Sequence, residues 1–112
     1  VSAITFSVDE TADRTVLAFS GELDIAAVAE IEPELTRLEL ARPGLFVLDL
    51  RAVTFLDSSG IRMILAADAR AREQERRLVV VPGPEPVHRV FELALLDRRL
   101  EFVQDSSGIG TS

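Results

Sequence analysis

One pentapeptide, Asp-Ser-Ser-Gly-Ile, occurs twice in the chain, at residues 57–61 and at residues 105–109. It offers two hydroxyls between a carboxylate and a glycine. The first copy follows the apolar run of residues 45–50 and precedes Ile61, Ile64, Leu65 and Ala69, which are spaced for one side of a helix. Ser58 and Ser59 therefore stand at the carboxyl end of a strand and the start of a helix, the edge of an open α/β sheet where ligands and chemistry collect. The first amides of a helix are unpaired and form the positive end of its dipole, which favours an anion there. A phosphate attached to one of these serines is expected to meet amides and a favourable dipole, and to add roughly −1.5 to −2 charges beside Asp57. A fixed charge of that size can repel an acidic partner without unfolding the domain. The same residues also make an ordinary strand-to-helix turn capped by Asp57, and spacing alone leaves both readings open.

The second copy has only Gly108, Gly110 and the end of the sequence behind it. It is expected to lack a helix that would supply oriented amides, so it reads as a chance similarity in a tail. Order is expected to fade after Gln104, leaving residues 105–112 as a flexible segment.

The elements that position the first copy show in the periodicity. Residues 4–8 alternate apolar and polar, and Val16, Leu17 and Phe19 mark a second strand, so the two are expected to pair antiparallel. Asp24 is placed to cap a helix whose stripe is Val28, Ile31, Leu35 and Leu38, with Pro33 expected to interrupt and kink it before Pro43-Gly44 closes the segment. Residues 45–50 suit a strand buried on both faces. A helix is expected from Ile61 to about Glu75, its charged end solvated, and a strand at residues 78–81. Val87, Val90, Phe91 and Ala94 mark a third helix with Pro86 in its first turn. A last short strand is expected at residues 100–103. The order β-β-α-β-α-β-α-β implies an α/β domain with one mixed sheet of about four to five strands flanked by about three helices.

Composition narrows the chemistry. The chain has 112 residues, one domain by size, and no cysteine, which excludes disulfides, thiolate catalysis and cysteine-bound zinc. With one histidine, His88, a His-rich metal site is excluded as well; His88 is expected on the surface of the third helix. The net charge of −7 argues against nucleic acid or an anionic membrane as partner. Every basic residue is Arg, a pattern of codon usage that also rules out a catalytic lysine. No apolar run reaches the ~20 residues of a membrane span, and no secretion signal is evident. The chain starts at Val, so a short amino-terminal piece is expected to be missing. No Gly-x-Ser-x-Gly elbow and no phosphate-binding Gly-rich loop with Lys is present, so ATP would have to come with a partner. Asp49 breaks an apolar run and is expected to cap a local amide or face the sheet edge.

GELDIAAVAEIEPEL at residues 21–35, VLDLRAVTFLDSSGIRMI at residues 47–64 and VHRVFELALL at residues 87–96 together resemble the STAS domains, and among them the bacterial anti-anti-sigma factors. The likeness runs from residue 4 to residue 103. It implies a single-domain, non-enzymatic, cytoplasmic regulator without a cofactor. In that family the serine directly after the Asp is the phosphoacceptor, which corresponds to Ser58. The resemblance implies that a serine-kinase anti-sigma factor binds the unmodified protein, freeing the sigma factor. Phosphorylation then releases the antagonist and a phosphoserine phosphatase resets it. It further implies a kinase-facing surface of Asp24, Asp57, Ser59, Gly60 and Arg62, with no direct nucleic-acid contact and no membrane insertion. A STAS accessory subunit of a membrane transport complex and a small anion- or nucleotide-binding sensor are the alternatives. The sequence departs from the family pattern at Leu95, where Gly is common, at Pro33 inside a helix, and at Arg62, where a small residue is common.

Overall fold

Alternation along the first strand, β1 (Ile4–Glu10), turns Ile4, Phe6 and Val8 inward and leaves Thr5, Ser7 and Asp9 outside. A turn returns the chain as β2 (Arg14–Leu23), antiparallel to β1 with Phe6 opposite Phe19. The computed structural model describes residues 3–104; the second Asp-Ser-Ser-Gly-Ile copy and the tail expected to contain it lie outside the described residues. There follow α1 (Ile25–Leu40), β3 (Leu45–Leu56), α2 (Ser58–Glu73), β4 (Arg77–Val81) and α3 (Glu85–Leu93). The four strands form one sheet in the order β1-β2-β3-β4, with β2, β3 and β4 parallel. This is the mixed α/β sheet with three helices that the element order implies.

Phe46, Leu48 and Leu50 of β3 and Leu78 and Val80 of β4 share one core with Ile31, Leu35 and Leu38 of α1, Met63, Ile64 and Ala67 of α2, and Val87 and Phe91 of α3. All three helices thus pack on one face of the sheet. Residues of opposite parity, Val47, Val79 and Val81, make a smaller cluster on the other face. Asp49, which interrupts the apolar run of β3, is buried and satisfied locally: it accepts from the Arg51 backbone amide at 3.0 Å and from Arg51 Nη2 at 2.8 Å. Among the described residues no helix is long and apolar enough to cross a membrane.

Three expectations are corrected. The helix α1 is not interrupted at Pro33 but runs through it. Pro33 is exposed and removes a single backbone bond, while Ile31, Leu35 and Leu38 on either side are held in the core. The strand expected at residues 100–103 is reduced to one parallel bridge, Val80 to Phe102, with the Val80 amide donating to Glu101 O and the Val103 amide to Val80 O, both at 2.9 Å. The preceding turn at residues 97–99 leaves too little extended chain for a ladder. His88 is not a plain surface residue: its ring meets Phe102 edge-on at 4.7 Å, and Nδ1 is buried with no partner among the described residues.

Each helix ends on a residue in the left-handed region, Arg42, Glu75 and Leu95, and none is glycine. Behind α3 the Leu96 amide donates to Phe91 O at 2.8 Å and the Leu95 amide to Glu92 O at 3.0 Å, a closure that suits glycine at position 95. Leu95 has φ 60° there and is 80% exposed, so it bears the backbone cost with little burial in return. Leu95→Gly is therefore expected to raise stability by about 0.5–1 kcal/mol, read as a higher urea midpoint at unchanged slope.

Candidate functional site

The parallel strands β2 and β3 end side by side, with Leu23 opposite Leu56. Each is followed at once by an aspartate that starts a helix. Asp24 Oδ1 accepts from the Ala27 amide at 2.9 Å and begins α1. Asp57 Oδ1 accepts from the Ser59 amide at 2.9 Å and the Gly60 amide at 3.2 Å and begins α2. The two turns are joined directly, since the Asp57 amide donates to Leu23 O at 3.3 Å. Two short motifs far apart in the sequence thus become one edge of the sheet.

The register explains how they meet. From Ala18 to Leu23, β2 advances with two shifts against β3, each placing an extra residue on β3. The shift at Gly21 and Glu22 skips Thr54, and this bulge breaks the alternation of the strand. Val53 and Leu56 point inward while Phe55 is 50% exposed. Ile25, the first residue of α1, is also exposed, at 72%. Sequence reasoning missed both as parts of this edge. Strict alternation assigns Phe55 to the same face as Val53, and only the pairing with β2 reveals the extra residue.

Gly60 is buried, and a Cβ built on it would lie 2.8 Å from Leu23 O and 2.7 Å from Leu56 Cδ1. The absent side chain lets the start of α2 settle on the ends of β2 and β3. Ser58, the first helical residue, is exposed, and its hydroxyl makes no hydrogen bond to another described residue. Ser59 is half-buried and Arg62 exposed. Asp24, Asp57, Ser58, Ser59, Gly60 and Arg62 therefore share two adjoining helix starts, with Gly60 beneath them rather than on the surface.

Two details differ from the reading of the sequence. The helix begins at Ser58, three residues before Ile61, because the Asp57 cap draws the serines into its first turn. Of the first four helix amides, where a phosphate was expected to be met, three are occupied: Ser59 and Gly60 donate to Asp57 Oδ1, and the Ile61 amide donates to Asp57 O at 3.1 Å.

A family model described as "Mlab, STAS domain" matches residues 6–104. The chain belongs to the STAS family. This STAS domain is 32% identical over 96 residues to the anti-sigma-F factor antagonist RsfB of Mycobacterium tuberculosis, covering 86% of the present chain and 78% of that protein. It superposes on an anti-sigma factor antagonist from Mycobacterium paratuberculosis with a TM-score of 0.83 and 27% identity, over 93% of the present chain and 88% of the other. It shares its fold with the anti-sigma factor antagonist SpoIIAA in its unphosphorylated form, with a TM-score of 0.78 and 20% identity, over 94% and 93% of the two chains. By these likenesses the STAS domain stands with the anti-sigma factor antagonists, a regulatory and not a catalytic group.

Proposed function

We propose that this STAS domain is an anti-sigma factor antagonist, bound to a serine-kinase anti-sigma factor while unmodified and released when Ser58 is phosphorylated. The observation that supports it is the exposed Ser58 hydroxyl on the first turn of α2, beside two aspartate caps and the exposed Ile25 and Phe55. The likeness to RsfB supports the regulatory role. In the transfer, the Ser58 oxygen attacks the γ-phosphorus of ATP held by the kinase, the bond to the β-phosphate oxygen breaks, ADP leaves, and the hydroxyl proton passes to a base on the kinase. The product adds roughly two negative charges to an edge that already has Asp24 and Asp57. A partner surface fitted to a neutral hydroxyl then meets a solvated dianion, and docking is lost without refolding. A phosphoserine phosphatase restores the hydroxyl.

The test is incubation with the cognate anti-sigma kinase and ATP, read by intact mass. One phosphate is expected on the native protein and none on Ser58→Ala. Ser58→Asp is expected to bind the kinase at least about tenfold more weakly, an effect of about 1.4 kcal/mol or more. A Ser58→Ala protein that still gains a phosphate, or an unchanged affinity of Ser58→Asp, would overturn the proposal.

A further inference from the structure

A solvated dianion on Ser58 attracts any free cation nearby, and the helix start itself has little to offer it. Asp57 already holds the Ser59, Gly60 and Ile61 amides, leaving only Ser58's own amide without an acceptor among the described residues. Asp57 itself is a neighbouring anion. A cation lies within reach along the helix: Arg62 is four residues beyond Ser58 on α2, a spacing that puts both side chains on one face about 5–6 Å apart at Cβ. Both residues are exposed. Arg62 makes no hydrogen bond or ion pair to a described residue, whereas Arg70 and Arg72 farther along the same helix are committed to Glu39 and Asp68. An acid placed four residues before a base is also the favourable order with respect to the helix dipole.

Resting on the Ser58 reading above, we infer that Arg62 is the internal counter-ion of the phosphorylated form, closing on the Ser58 phosphate across one turn of α2. Modification then alters the edge at two points. An anion is added at Ser58, and the Arg62 guanidinium, free to meet an acidic group of the partner beforehand, turns back onto its own helix. Arg62 is thus part of the switch, acting as a positioning residue for the phosphate.

The test uses the full chain with phosphoserine installed at position 58 by ligation, so that it does not depend on any kinase. The second ionisation of the phosphate is followed by phosphorus NMR in the native sequence, in Arg62→Gln and in Arg62→Lys. An arginine paired with the dianion lowers that ionisation, so the native sequence is expected to titrate about 0.3 pH units below Arg62→Gln at low salt. Arg62→Lys is expected to fall between them, and the difference to shrink in about 1 M salt. Superimposable titrations would overturn the inference. So would Ser59 and Gly60 amide resonances that follow the phosphate titration equally with and without Arg62, because the phosphate would then have displaced Asp57. Failure of the kinase reaction, by contrast, would count against the Ser58 proposal and leave this titration intact.

Discussion

Gly21→Ala is expected to lower the unfolding free energy by about 3 kcal/mol. Gly21 has φ 112°, a conformation that side chains rarely adopt, and an added Cβ would lie 2.0 Å from the carbonyl oxygen of Ala3. That oxygen belongs to the backbone immediately before β1 and already accepts from the Glu22 amide at 3.0 Å. Relief therefore requires β1 to draw away from β2 at the pair of Ile4 and Gly21. The cost combines backbone strain with the loss of edge pairing and of Ile4 burial. Urea denaturation measures it, with a much lower midpoint expected at similar slope. A loss smaller than about 1 kcal/mol would show that β1 shifts freely and that Gly21 is not needed for the pairing.

Gly60→Ala is expected to lower stability by about 2 kcal/mol and, on the acceptor role proposed for Ser58, to slow phosphate uptake there by about tenfold or more. Here the backbone is ordinary and closeness decides. The new Cβ would meet Leu56 Cδ1 at 2.7 Å, Leu23 O at 2.8 Å and Leu23 Cβ at 3.2 Å. Leu56 can rotate aside, but the Leu23 carbonyl is fixed at the end of β2 and also accepts from the Asp57 amide. The first turn of α2 must then lift, carrying Ser58 and the Asp57 cap with it. Denaturation and intact-mass kinetics on one variant separate the two effects. Native stability together with a native rate of uptake would show that the close seating of α2 is irrelevant to the acceptor.

The two glycines illustrate how unevenly the site is written in the sequence. The cap residues Asp24 and Asp57 were legible, because a carboxylate bonding amides two or three residues ahead is a local event. The hydroxyl of Ser58 at the head of a helix follows from the same geometry. That Gly60 lies under the site was not legible, since it depends on Leu23, a residue of another strand. Nor was the outward turn of Phe55, which results from a bulge defined only by the pairing of β2 with β3. His88 similarly looked like a surface residue until Phe102 closed against it from the carboxyl-terminal segment.

Strand and helix identity came from the sequence alone, through the two-residue alternation of β1 and the three- and four-residue steps of α1, because such periods reflect which side of a single element is buried. The same local logic brought out the paired serines at a helix start, and the family resemblance alone pointed to Ser58 between them. Tertiary structure decided what surrounds that hydroxyl: the union of the two capped turns through Leu23 O, the close seating of Gly60 on Leu23, and the outward turn of Phe55. It also settled the fate of marginal elements, keeping α1 whole through Pro33 and reducing the last strand to a single bridge. These outcomes depend on contacts between residues far apart in the chain, whose energies outweigh local preference and leave no trace in a short window of sequence.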